Sequence, residues 1–176
     1  MITLRPATPS DAPHLRRWDK DPGVIAASGE DDEWHWEVEL ARTVDWRATL
    51  IIEEDGRPVG VVQIIDAARE ETHYWGDGHD GCAAIDIWIG AAEDRGRGTG
   101  ATAMALAADH AFADPAVEAI LIDPLARNEG ARRFYARIGY KDVGPRRFGD
   151  DDCIVMRLDR ADWEGRPSVA SPSASA

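Results

Sequence analysis

The sequence predicts an α/β protein, with a mixed central β-sheet flanked by helices on both faces. Three observations carry this. Apolar runs of strand length recur at "ATLIIEE", "VGVVQIID", "CAAIDIWIG" and "AVEAILIDP". The turn "DGRP" joins the first two as a hairpin, so part of the sheet is antiparallel. Beyond the hairpin, strands alternate with the helical stretches "ATAMALAADHAFAD" and "NEGARRFYARIG".

In chain order, "ITLRPA" reads as a first strand closed by Pro6. Ser10 or Asp11 is expected to cap the next helix, with Leu15 and Trp18 on its buried side. "GEDDEWHWEVELARTV" is acidic at its start and then helical, which suits the positive end of a helix dipole. The hairpin follows, then a polar, aromatic-bearing loop, "AREETHYWGDGHDG". "CAAIDIWIG" is a buried strand that leads into glycines and the first long helix. After the strand "AVEAILIDP", a second helix has Asn128 as its cap and Gly139 as its stop. "YKDVGPRRFGDDDCIVMRL" supplies two strands around a glycine turn. Residues 1–163 are expected to form a single domain, and 164–176, without apolar periodicity, a disordered tail.

Composition narrows the function classes. A net charge of -13 argues against nucleic acid as a partner and is compatible with a cationic small substrate. Cys82 and Cys153 are the two cysteines, with no CxxC, which excludes a disulfide framework and a thiolate metal site. His73, His79 and His110 lack metal-ligand spacing, so no metal is expected. "MITLRPATPSD" has no apolar signal core and no stretch is long enough to span a membrane, so no membrane association and a cytoplasmic location are expected. The state expected is monomer or homodimer.

The chemistry-bearing stretch is "EDRGRGTGA", between the buried strand and the long helix. Strand, glycine loop and helix together bind phosphate, because free N–H groups and the helix dipole point at the anion. Two ligands fit it. Gly96, Gly98 and Ala101 satisfy G-x-G-x-x-G/A, a dinucleotide pattern, with Asp123 near the ribose-binding spacing. Arg95, Gly98 and Gly100 satisfy R-x-x-G-x-G, an acyl-CoA pattern, and Arg95 and Arg97 add positive charge for a polyanion.

Upstream, alternation puts Ile85, Ile87 and Ile89 on one face of the strand and Asp86 with Trp88 on the other. A carboxylate inside so apolar a strand is expected to be paired or functional. Asp123 ends a strand where ligands gather, although Asp-Pro also forms turns. Tyr135 follows Asn128 by nearly two helical turns, so both fall on one side of the helix, and Ala131, Phe134, Tyr135 and Ile138 also follow core spacing.

"RGRGTG" and "NEGARRFYARIGY" resemble the two signatures of the GNAT acetyltransferases, and the likeness runs from about Ile2 to Leu158. More narrowly, "ITLRPATPSDAPHLRRW", "AID", "DPAVEAILIDPLARNEGARRFYARIGY" and "GDDDCIVMRLDR" look like the aminoglycoside 6'-N-acetyltransferases. The resemblance implies a GNAT fold and acetyl transfer from acetyl-CoA to a primary amine, by direct attack in a ternary complex. It lays the thioester along Ile85 to Ile89, so Ile87, Trp88 and Ile89 are expected at the cofactor. The pyrophosphate falls on Arg97, Gly98, Thr99, Gly100 and Ala101, with Asn128 and Tyr135 meeting the cofactor from the other side. Asp86 matches the substrate-binding acid and can take the ammonium proton; Asp123 matches a second such acid. Tyr135 is the candidate proton donor to the departing thiolate. Glu70, Glu71, Asp77, Asp80 and the run Glu30 to Glu33 are candidates for an acidic wall around a polycationic sugar, with Glu71 and Asp77 as substrate contacts. Trp34, Trp36, Tyr74 and Trp75 are candidates to stack on sugar rings.

Overall fold

A computed structural model describes residues 1–28 and 35–166. Seven strands form one mixed sheet. They are β1 (Ile2–Pro6), β2 (Arg47–Glu54), β3 (Arg57–Asp66), β4 (Cys82–Ile89), β5 (Ala119–Ile122), β6 (Lys141–Phe148) and β7 (Asp151–Asp159). The helices are α1 (Ala12–Asp19), α2 (Pro22–Ser28), α3 (Trp36–Ala41), α4 (Thr99–Phe112), α5 (Glu129–Arg137) and α6 (Arg160–Glu164). The spatial order is β1-β2-β3-β4-β5-β7-β6, and β4 with β5 is the parallel neighbour pair. No helix among the described residues is long and apolar enough to cross a membrane.

The hairpin turn between β2 and β3 forms as the dipeptide Asp55-Gly56 requires, both residues in the left-handed region. Asp11 is the N-cap residue of α1, as expected, but its side chain makes no capping bond to that helix. Thr8 caps a short 3-10 turn, Pro9–Asp11, that leads into it. Asp11 instead turns its carboxylate to Arg5, with two 2.8 Å bonds, and to the Thr8 amide. Those bonds, led by Arg5, pull the Asp11 pKa down to about 2. Two short helices, α2 and α6, were not expected. Glu164 closes α6, and the rest of the expected tail from residue 167 lies outside the described residues.

Strand alternation sorts the core. One face of the sheet carries Leu50, Ile52, Val62, Ile64 and Ile85 against Ala103, Met104, Ala107 and Ala111 of α4, with Phe134 and Tyr135 of α5 packed beside them. The other face is covered in two patches. Val61 and Ile51 meet Leu15, Trp18 and Trp36 from α1 and α3. Ile65, Ala84 and Leu121 meet Trp75, Phe148 and Cys153. Helices thus lie on both faces, and a gap separates the two patches over β3 and β4.

Candidate active site

The gap opens where two strands part. The β4–β5 ladder holds only three register pairs, Cys82↔Ala119 to Ala84↔Leu121, whereas β4 runs on to Ile89. Parallel neighbours that diverge leave a slot lined by main chain, of the kind an extended ligand can enter. Asp86 lies just past the last shared pair, on the face opposite Ile85. It is exposed: the strand is largely buried, but its outer face is open at this point.

At the end of β4 the chain turns into the glycine loop. Gly98 is the N-cap of α4 with φ 88, and it offers no side chain to the first amides of the helix. Gly96 also sits at positive φ. A Cβ at either would meet nothing within 4 Å, so the backbone angle demands glycine here and the space in front stays open. A helix start with uncapped amides and the positive end of a 14-residue dipole suits an anion. Thr99 is buried, Gly100 and Ala101 are half-buried, and Gly100 faces the Phe134 ring of α5.

The two loop arginines do different work. Arg95 donates to the carbonyls of Ile89 and Gly90 and to the carboxylate of Asp21, whose Oδ1 also caps α2 through Gly23 and Val24. Its guanidinium is therefore a clamp between the end of β4 and α2, which corrects the expectation of a phosphate contact. Arg97 is half-exposed and lies 3.3 Å from Glu54 and 3.7 Å from Asp94. Asn128 caps α5 through Ala131, as expected, and its amide nitrogen reaches the Ala27 carbonyl at 3.3 Å. α2 is thus tied to both sides of the slot.

Two polar side chains from distant segments meet near its mouth. Tyr74 Oη donates to Asp123 Oδ2 at 2.6 Å. Burial, then the charges of Asp123 and Asp86, push the Tyr74 hydroxyl pKa well above 10. Burial and the same two carboxylates also raise Tyr135 on α5. The charges of Asp86 and Asp123 thus reach both Tyr74 and Tyr135. The loop that carries Tyr74 is organised by Glu70, whose carboxylate accepts from the Thr72 amide and hydroxyl at 2.8 Å and from the Tyr74 amide at 3.0 Å.

Other expected contacts fall elsewhere. Glu71 is gripped by Arg42 at 2.8 to 3.0 Å, a salt bridge between the loop and the end of α3, so it is not a free acid for a substrate. Trp36 and Trp75 are core residues, 1% and 3% exposed, and cannot stack on a sugar; Tyr74 is 45% exposed and can. Asp77 and Asp80 are exposed in the loop. Glu30 to Glu33 and Trp34 lie outside the described residues.

Sequence reasoning missed Gln63. It is the register partner of Asp86 across the β3–β4 ladder, is 2% exposed, and its Nε2 has no hydrogen-bond partner among the described residues. Trp88 Nε1, two register pairs further on, is also buried without a partner among them. Buried unsatisfied donors each cost roughly 1–3 kcal/mol. The signal was present: Gln63 is the one polar residue in the run "VGVVQII".

Comparison with curated protein sequences gives no significant match. Among solved structures the fold is similar to that of the aminoglycoside acetyltransferase AAC(6')-Ib in complex with coenzyme A and kanamycin, with TM-score 0.84 and 24% identity over 93% of this chain and 98% of that one. The same enzyme in complex with paromomycin and acetyl-CoA gives TM-score 0.84 and 25% identity over 96% and 99%. Spermidine N-acetyltransferase from Vibrio cholerae, in complex with CoA and spermine, gives TM-score 0.76 and 18% identity over 93% and 98%. A family model for the acetyltransferase (GNAT) domain matches residues 7–148. That span takes in the parting strands, the uncapped helix start and the Tyr74–Asp123 pair, and the chain belongs to the GNAT acetyltransferases.

Proposed function

We propose that this protein transfers the acetyl group of acetyl-CoA to a primary amine, and that the favoured acceptor is the 6'-amine of an aminoglycoside. One observation carries the reading: Tyr74 is bonded to Asp123 and, like Tyr135, feels the charge of Asp86, close to where β4 leaves β5. The residues fit the cofactor. The edge of β4 over Ile87, Trp88 and Ile89 runs on past its β5 partner, as an amide-bearing pantetheine arm requires. Gly98 to Ala101 offer uncapped helical amides to a pyrophosphate, with Arg97 beside them.

The cofactor supplies an activated acetyl thioester. Asp86 holds the acceptor ammonium and takes its proton, because only the neutral amine attacks. The new bond is C–N and the broken one C–S; the ammonium proton leaves through Asp86 to solvent, to which it is exposed, and the second proton that nitrogen sheds on becoming an amide follows the same route, from which the released thiolate can be reprotonated. Burial and the two carboxylates keep Tyr135 protonated, so its hydroxyl steadies the departing sulfur as a hydrogen-bond donor. The same shift makes full proton release from Tyr135 unfavourable, and a thiolate leaves without it. Asp123 takes a second cationic or hydroxyl group of the acceptor. We place Asp77, exposed in the loop, on the outer rim of that acceptor site.

N-acetylation removes a positive charge from the acceptor, which is the chemistry of an antibiotic-resistance enzyme. The second reading is a polyamine acceptor, favoured by the fold's likeness to a spermidine N-acetyltransferase in complex with spermine. A non-catalytic acetyl-CoA-binding module is the alternative from another class. We place the protein in the cytoplasm as a monomer or homodimer. Thiol release from acetyl-CoA, measured over kanamycin-type aminoglycosides, polyamines and peptides, decides. Turnover with aminoglycosides supports the reading, turnover with polyamines alone supports the second, and binding without turnover leaves the module.

A further inference from the structure

We propose that Gln63 is a specificity-determining residue, which hydrogen-bonds an oxygen of the acceptor close to the amine held at Asp86. The inference deepens the reading above and rests on Asp86 as the ammonium site. Three observations converge on it. Directly opposed residues in an antiparallel pair place their side chains on one face, so Gln63 and Asp86 lie side by side. Each apolar patch on this face stops short of them: Ile65 and Ala84 belong to one, Val61 and Trp88 to the other. Gln63 and Asp86 therefore sit between the two patches, Asp86 exposed and Gln63 buried. The Gln63 Nε2 has no partner among the described residues, with Thr49 and Asp86 as its register neighbours on the two flanking strands.

A buried carboxamide without partners is retained where a ligand completes it. The amide is planar, and a half-turn exchanges its donor and acceptor ends, so it can meet a hydroxyl or an ether oxygen. The acceptor this favours carries oxygen within one or two carbons of the amine, as an amino sugar does. A polyamine, whose nitrogens are joined by methylenes, has nothing to offer at this point.

The test is Gln63→Leu, which keeps the size and removes the unpartnered amide. Steady-state thiol release would be measured with a kanamycin-type aminoglycoside and with spermidine, for wild type and variant, with melting temperature and acetyl-CoA KM as controls. The expected result is a fall in kcat/KM for the aminoglycoside on the order of tenfold, carried by KM, with unchanged kcat/KM for spermidine and unchanged acetyl-CoA KM. Melting at or above the wild-type temperature is expected. An equal loss with both acceptors, or no loss with the aminoglycoside, overturns the assignment. Wild-type protein that turns over neither acceptor refutes instead the reading of the site, and the assignment of Gln63 falls with it.

Discussion

Tyr74 donates a 2.6 Å hydrogen bond to Asp123, 49 residues away in the sequence. The ring that carries the hydroxyl is stacked on Phe148, with centroids 4.4 Å apart and planes 5° from parallel. Glu70 holds its backbone from below. A hydroxyl on a carboxylate stands where an N–H of a cationic acceptor would go, so an acceptor bound at Asp123, as proposed, would have to displace it.

Tyr74→Phe keeps the stacking and deletes the bond. The acceptor KM should fall about threefold or more, since Asp123 loses its competitor, while the acetyl-CoA KM stays put. Melting should drop by a few degrees, from a loss of about 1 kcal/mol. Initial rates over both substrates check this, and an unmoved acceptor KM contradicts it.

Asp86→Asn retains the size of the side chain and loses the base. Turnover should fall by about 10² to 10⁴. The dissociation constant for acetyl-CoA, read by calorimetry, should change by less than about twofold, because the proposed cofactor site uses the main chain of β4 and not this carboxylate. Full activity in the variant would remove Asp86 from the mechanism.

Arg95 and Arg97 are two residues apart and should fail differently. Arg95→Ala frees the Asp21 carboxylate and two carbonyls at the end of β4, so stability should drop by roughly 1–3 kcal/mol. Arg97→Ala, half-exposed at the loop, should leave melting nearly unchanged and raise the acetyl-CoA KM severalfold. That rise should shrink as salt is added, because exposed charges are screened. Thermal melts and KM at two ionic strengths separate the two.

The three tyrosines, Tyr74, Tyr135 and Tyr140, all have hydroxyl pKa values raised above 10, in each case chiefly by burial. The neutral forms are favoured in the folded state. Their contribution to stability is fully present below the unfolded pKa of about 10 and is lost as pH rises from there toward the folded values. Folded protein should therefore show almost no tyrosinate absorbance at pH 10.5, where unfolded chain shows most of it. The tyrosines should then titrate together as alkali unfolds the protein. Separate titration of one tyrosine near pH 10 in folded protein would place that ring in water.

Local pattern made much of this legible. The period of two in "AIDIWI" set which side of β4 faces α4, and Asp55-Gly56 set the hairpin. Asn128 and Gly139 bounded α5 because caps and left-handed stops are chemistry of single residues. The glycines announced an anion site for the same reason. Arg95 was misread because its spacing fits a phosphate pattern, whereas its reach is set by α2, which carries no strong sequence signal. Trp36 and Trp75 were misread because an aromatic in a polar stretch looks exposed until the sheet face that covers it is known.

What the sequence alone determined is the order of the seven strands and of four of the helices, the buried faces, and the loop whose backbone can hold an anion, since each follows from neighbours within a few residues. Only the tertiary structure decided which polar groups meet. Asp86, Asp123, Tyr74, Tyr135 and Gln63 come from five segments, and their company depends on where β4 parts from β5 and on how the loop after β3 folds back. No local rule encodes that meeting, because hydrogen bonds and charges act through space between residues that chain distance keeps apart.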